Sequence, residues 1–264
     1  MNQKKQYMIE ESKLNGTKDQ LAIAGPSYEE LTRKLEELTK EMNQFAYIVS
    51  HDLQAPLRTV TGFLELLEKR HGDKLDASAR QFIDHAIKGA SKMRMLVFDL
   101  LEYSRLNTAK REMLPVDLND VVKEVQEKLK DLISENNCTI QLENLPVIMA
   151  DKKQMIQLFQ QLVQNAIKFR SEKDPQIIFS SLQQEDGTLV VRVTDNGMGI
   201  EEIFLEKIFI IFRRLQTDEV KYPGSGSGLA ICKKIMELHE GTIYATSVKG
   251  EGTTFWINFP TDQN

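Results

Sequence analysis

Apolar residues at Leu31, Leu35, Leu38, Met42, Phe45 and Val49 alternate steps of four and three, the spacing of a coiled-coil seam. A seam this narrow cannot enclose a core, so the chain needs a second helix and then a second chain. Ser27 is a ready N-cap, with Glu30 three residues on to close a capping box. The pattern continues through SHDLQAPLRTVTGFLELLEK, where Pro56 lacks an N–H and crowds the carbonyl of Asp52, so a bend beside His51 is expected. A turn at His71-Gly72-Asp73 precedes a second amphipathic helix, roughly Ala77 to Arg105, with Phe82, Ile83, Ala86, Ala90, Met93, Leu96, Val97, Leu100 and Leu101 as its stripe. The hairpin so formed predicts a homodimer with a four-helix bundle. A dimerising coiled coil without catalysis fits this segment equally well.

The 264 residues suffice for two domains, and we divide them as 1–26, a polar tail or linker ending at Gly25-Pro26, 27–110, the hairpin, and 111–262, a second folded domain. In that last part we expect helices at Leu118 to Glu135, Lys152 to Phe169 and LAICKKIMELH. Strands are expected at CTIQLE, PVIMA, QIIFSSLQ, TLVVRVTD, GTIYATSV and TTFWINF. Their order predicts an α+β sandwich with helices on one face of a mostly antiparallel sheet. A net charge of −5 argues against nucleic acid or an acidic membrane as the main partner. No apolar run approaches the ~20 residues that span a bilayer, so no direct membrane insertion is expected. Cys138 and Cys232 read as reduced core thiols of a cytoplasmic protein.

On the helix QLFQQLVQNAIKF, steps of 100° gather Gln161, Asn165 and Lys168 in one sector, with Phe159, Val163, Ala166 and Ile167 opposite. Asn165 can offer an amide oxygen to the oxygen-rich shell of Mg2+, and Lys168 can neutralise phosphate charge. Alone, a solvated helix face is the simpler reading. The strand end VTDNGMGI presents Asp195 to a flat ligand's amino group, although Asp-Asn-Gly is also a common turn. In YPGSGSGLAICKK, alternating glycines precede a helix whose free N–H groups favour phosphate oxygens; a flexible linker has the same composition.

It is their order that is specific: the Asn/Lys helix, the D-x-G-x-G strand end, the aromatic-basic IFIIFRRL and then G-x-G-x-G before a helix. In that order the chain resembles the sensor histidine kinases, over roughly residues 30 to 260, with an ATP-binding domain of the GHKL superfamily. The resemblance implies a multidomain α and α+β fold, a dimeric helical hairpin followed by an α/β-sandwich ATPase domain, with ATP and Mg2+ as cofactors. It implies that Asn165 contacts Mg2+, that Gln161, Lys168 and Phe169 belong to the same nucleotide-binding box, and that Asp195 recognises adenine in a pocket shaped by Gly197 and Gly199. IFIIFRRL then matches a box in which Phe209 and Phe212 anchor a lid and Arg214 approaches the terminal phosphate. Gly224, Gly226, Gly228 and Leu229 match the following glycine box, and Gly250, Gly252 and Thr253 a late turn. Of His51, His71, His85 and His239, only His51 lies in the S-H-D-L-Q-A-P-L that matches the phosphoacceptor box, with Asp52 as its base. His71 and His85 read as structural or surface residues, as does His239, which lies near a helix C-terminus where the dipole favours an imidazolium.

The implied partners are a response regulator receiver domain, whose aspartate takes the phosphoryl group, a second copy of the chain, and an upstream sensor module or partner. Three positions depart from the family pattern. Ala55 stands where many relatives carry a threonine or asparagine that positions water for dephosphorylating the partner. Gln161 stands where the box begins with asparagine, and Ser227 holds an often apolar position between the last two glycines. Two other readings stay open at this point: a GHKL ATPase without histidine phosphorylation, and a nucleotide-binding dimeric scaffold.

Overall fold

The computed structural model describes residues 27–108, 111–185, 187–216, 218 and 221–260; the tail or linker expected at 1–26 lies outside them. Contacts divide the chain into one unit ending at Phe45 and a second beginning at Ala46. Helix α1 runs Tyr28–His71 and α2 Ala77–Thr108, joined by a single 3-10 turn, Gly72–Lys74. In the first unit α1 opens with the capping box: the Glu30 amide donates to Ser27 Oγ at 3.2 Å and the Ser27 amide to Glu30 Oε2 at 3.3 Å. In the second unit α1 remains helical through Pro56, which has no N–H to give the Asp52 carbonyl.

The hairpin buries little by itself. Ile83, Ala90 and Leu101 are covered, yet Phe63 and Phe82 are each 69% exposed, and Leu53, Val60 and Met93 are exposed with them. The hairpin thus presents a large exposed apolar surface among the described residues.

After the hairpin come β1 (Leu114–Asp117), α3 (Leu118–Lys128), α4 (Lys130–Glu135), β2 (Thr139–Leu142), β3 (Val147–Ala150), α5 (Lys152–Lys168), β4 (Gln176–Gln183) and β5 (Leu189–Asp195). Two 3-10 turns, Glu202–Phe204 and Lys207–Phe209, lead to α6 (Gly228–Leu238), β6 (Thr242–Val248) and β7 (Gly252–Phe259). Five strands form one sheet in the order β2-β4-β5-β7-β6, while β1 and β3 pair apart from it. Only the β2–β4 pair is parallel in that sheet, so it is mixed, with mainly antiparallel pairing as expected.

Helices α3, α5 and α6 cover one sheet face with a continuous core, in which Phe159 of α5 meets Phe179 of β4 edge to face at 5.2 Å. Across β6 and β7 on the sheet, Tyr244 stacks on Trp256 at 6.0 Å, and Arg192 lies over the same indole at 5.8 Å. Strand β1 was not foreseen, because Pro115 and a length of four residues give it no readable alternation. The helix expected from Leu118 to Glu135 is interrupted at Leu129, where ψ is 14°, although i→i−4 bonds flank the break on both sides.

His239 is structural rather than at the surface, and it is not the imidazolium that the helix dipole favours. Its Nε2 accepts from the Asp151 amide at 3.0 Å, and Nδ1–H donates to the Ile235 carbonyl at 2.8 Å, so the ring is neutral and buried. Desolvation lowers its pKa first and Arg111 second, against opposing effects of the Ile235 carbonyl and Asp151. Burial thus defeats the helix dipole. Asp151 in turn caps α5, its Oδ1 accepting from Lys153 and Gln154 at 2.9 and 3.1 Å.

With its folded pKa below the ordinary 6.5, His239 takes up a proton more readily in the unfolded chain. Its contribution is complete above that value and shrinks as pH falls toward the folded one. Urea unfolding at about pH 8 and about pH 5.5 should therefore show a loss at acid pH that His239→Gln reduces. Equal acid sensitivity of the two proteins would remove His239 as the cause.

Candidate functional site

The amphipathic α5 is built as the sequence predicted. Phe159, Val163, Ala166 and Ile167 are buried, and Gln161, Asn165 and Lys168 lie on the partly exposed side. That polar side faces the start of α6. A β-carbon added to Gly228 would lie 2.5 Å from Gln161 Oε1 and 3.9 Å from Asn165 Nδ2. One placed on Gly224 would meet Lys168 Nζ at 3.0 Å, and on Gly226 the Arg214 Cγ at 2.9 Å. The glycine box is therefore held against the polar face of α5, with room for backbone and for little else.

Lys168 carries two burdens. Burial lowers its pKa, and the neighbouring Arg214 guanidinium lowers it further. Cations brought this close favour an anion between them. Lys168 Nζ also lies 4.6 Å over the ring of Phe169, which stacks on Tyr222 at 5.4 Å. Arg214 donates to the Tyr222 carbonyl at 2.8 Å, so Tyr222 joins the lid to the C-terminal end of α5. Tyr222 went unread in the sequence, its only signal being the aromatic before Pro-Gly.

At the end of β5, Asp195 is half-buried and its pKa is raised by desolvation, against the lowering effect of two backbone hydrogen bonds. Both reach Oδ1, from the amides of Gly197 at 2.8 Å and Thr253 at 3.2 Å. Oδ2 keeps its acceptor capacity for an amino group. A side chain on Gly197 would strike the Phe169 carbonyl at 2.7 Å and Asp195 Oδ1 at 2.8 Å, so this turn admits only glycine. Gly199 has φ 67° and lies against the Val248 carbonyl, while Leu229, in the first turn of α6, packs on the core.

Within the lid, Phe209 packs on the core, whereas Phe212 has φ 61° and remains part exposed, tied through its amide to the Gly226 carbonyl at 3.1 Å. Phe212 thus anchors the lid by backbone rather than by its ring. For Mg2+, no group of three His, Cys, Asp or Glu side chains comes together among the described residues. The Gln161 and Asn165 amides beside the glycine box fit an ion carried chiefly by phosphate oxygens.

His51 and Asp52 stand apart, on α1, 73% and 72% exposed at their side chains, with Nδ1 and Asp52 Oδ1 at 3.1 Å. With Nδ1–H donated to Asp52, the lone pair is on Nε2. A cavity of about 230 Å3 beside His51 is lined by Tyr47, Gln54, Phe98, Leu101, Glu102 and Arg105. The free thiols Cys138 and Cys232 are both buried, and burial pushes Cys138 up to about 11, so neither is a nucleophile.

Residues 41–109 match the family model described as the His Kinase A (phospho-acceptor) domain. Residues 150–263 match that of the histidine kinase-, DNA gyrase B-, and HSP90-like ATPase. Phytochrome-like protein Cph1 of Synechocystis sp. is 43% identical over 231 residues, which is 88% of this chain and 31% of that protein. The chain therefore spans about a third of that relative's length. Full-length ShkA in complex with AMPPNP superimposes with a TM-score of 0.60 at 26% identity, over 82% of this chain and 45% of that one. Histidine kinase ThkA in complex with response regulator protein TrrA gives 0.58 at 26% identity, over 90% of this chain and 67% of that one. With a phospho-acceptor helix pair followed by this ATPase fold in a single polypeptide, the chain belongs to the sensor histidine kinases and carries their catalytic core.

Proposed function

We propose that the chain phosphorylates its own His51 from ATP and passes the phosphoryl group to an aspartate of a response regulator. The observation that carries this reading is an exposed imidazole with Nδ1 committed to Asp52 at 3.1 Å, on the same chain as a glycine box cradled by Gln161, Asn165 and Lys168. Nε2 attacks the γ-phosphorus, the N–P bond forms as the bond to the β,γ-bridging oxygen breaks, and ADP leaves. Asp52 stabilises the positive charge that develops on the ring. Asp195 holds adenine through Oδ2, Lys168 and Arg214 meet the phosphates, and the α6 N-terminus offers free amides. Asn165 would hold Mg2+, which would supply charge neutralisation to the phosphates when bound.

Residues 27–110 act as the dimerisation and phosphotransfer hairpin and 111–262 as the ATP-binding domain. A second copy of the chain covers the exposed apolar face around Phe63 and Phe82. The receiver partner is supported by the complex of ThkA with TrrA. An upstream sensor module reaches the core through the seam of α1, and the length of the relatives beyond this chain leaves room for it. ATP as substrate and reduced thiols fit a cytoplasmic location; among the described residues no helix is long and apolar enough to cross a membrane.

Incubation with Mg2+ and γ-labelled ATP should give an acid-labile, alkali-stable label that His51→Ala abolishes. Label retained by the variant would move the acceptor, and ATP hydrolysis without label would return the chain to a GHKL ATPase. Asp195→Asn replaces a carboxylate with an amide that directs a donor at the adenine amino group, and should weaken nucleotide binding by roughly ten- to a hundredfold, as expected for a charge-assisted hydrogen bond. Unaltered affinity would take Asp195 out of the adenine site.

Ala55 has no side-chain group to hold a water. The chain should therefore remove phosphate from its phosphorylated partner slowly, and Ala55→Thr should accelerate that loss. Rapid loss with the native residue in the presence of ADP would contradict this.

A further inference from the structure

Lys88, Lys92, Met95, Asp99 and Glu102 follow one another along α2 at steps of three and four, so they share one face of the helix. That face meets the nucleotide domain. Asp99 Oδ2 accepts a hydrogen bond from Ser227 Oγ at 2.7 Å, and Glu102 accepts one from Gln157 at 3.4 Å. Ser227 does not cap α6; its hydroxyl is turned to the hairpin and to Ser225 Oγ, 2.8 Å away. The serine that departs from the family's usual apolar residue is thus the contact that fastens the glycine box to the hairpin.

Close to this fastening the two surfaces part into a cleft of about 710 Å3. Lys88, Lys92, Arg94 and Phe98 line it from α2, and Arg214 and Gly224 from the lid. The acidic residues on this stretch of helix are already engaged: Asp84 accepts from Lys88 at 2.6 Å and Asp99 from Ser227. Lys168 adds an ammonium beside Gly224 at the margin, where burial and Arg214 both disfavour its charge. Among the described residues that line it, four are basic and none is acidic, which complements the charge of a polyanion. Gly224 and Arg214 also belong to the segment that approaches the nucleotide's phosphates. Phe98 lines the cavity at His51 as well, so the two cavities share this residue as a wall.

We propose that this cleft is the hairpin's half of the triphosphate site, in which Lys92 and Arg94 contact the terminal phosphate of ATP and make the docked chain prefer ATP to ADP. This rests on the nucleotide-binding function proposed above and assigns it residues outside the ATPase domain. The hairpin then takes part in substrate recognition in addition to carrying the acceptor.

The test is equilibrium binding of Mg–β,γ-imido-ATP and Mg–ADP to the intact chain, to Lys92→Ala/Arg94→Ala and to Lys92→Arg/Arg94→Lys. The alanine pair should lose about tenfold or more in affinity for the imido analogue, with ADP unchanged and the preference kept by the conservative pair. An unchanged ratio of the two affinities, or a parallel loss of both, would overturn the proposal while leaving the nucleotide site intact. Failure of the native chain to bind either nucleotide would instead remove the nucleotide-binding reading, and this one with it.

Discussion

Helix α5 has one side sealed against the sheet by contacts such as Phe159 on Phe179, and the price of rotating it would be exposure of that whole apolar stripe. Its other side is consequently fixed in direction, so Gln161, Asn165 and Lys168 meet the glycine box without any bond of their own to aim them. The N-terminal end of the helix is pinned by Asp151, itself bonded to His239 at the end of α6. The far end is pinned by the Phe169 carbonyl, which accepts from Met198 in the turn after Asp195 at 2.9 Å. The turn after Asp195 and the contact with the glycine box are thus both tied to this one helix.

The parts of the fold that were legible are those whose signal is local. The α5 face reads from 100° steps, β5 from alternation, and the capping box of α1 from Ser27 and Glu30. The site residues were legible as an ordered series, since Asp195 or Gly226 alone is indistinguishable from a turn residue. What escaped was set by distant partners. The state of His239 depends on Asp151, 88 positions away, and the role of Ser227 on Asp99, 128 positions away. Tyr222 becomes intelligible only when Phe169 is found beneath it. No periodicity encodes such pairings, because periodicity reports which side of an element is buried and not what it is buried against.

The two halves of the molecule solve opposite problems. The core of the ATPase domain takes in Leu106 from the end of α2, while the rest of the hairpin leaves large apolar side chains in the open. Between them lie the Asp99–Ser227 and Glu102–Gln157 hydrogen bonds and an apolar contact, in which Leu106 and Tyr103 of α2 pack on the ATPase core.

Trp256 is the only tryptophan in the chain, and it is sandwiched between Tyr244 and the Arg192 guanidinium on the sheet. It pairs directly with Arg192 across β5 and β7, three positions along the same ladder from the Asp195–Thr253 pair. The protein therefore carries a native fluorophore whose emission reports the integrity of the ladder that holds Asp195. Because the indole belongs to the sheet rather than to the lid or the hairpin, that signal separates loss of the ATPase scaffold from any rearrangement of those two parts.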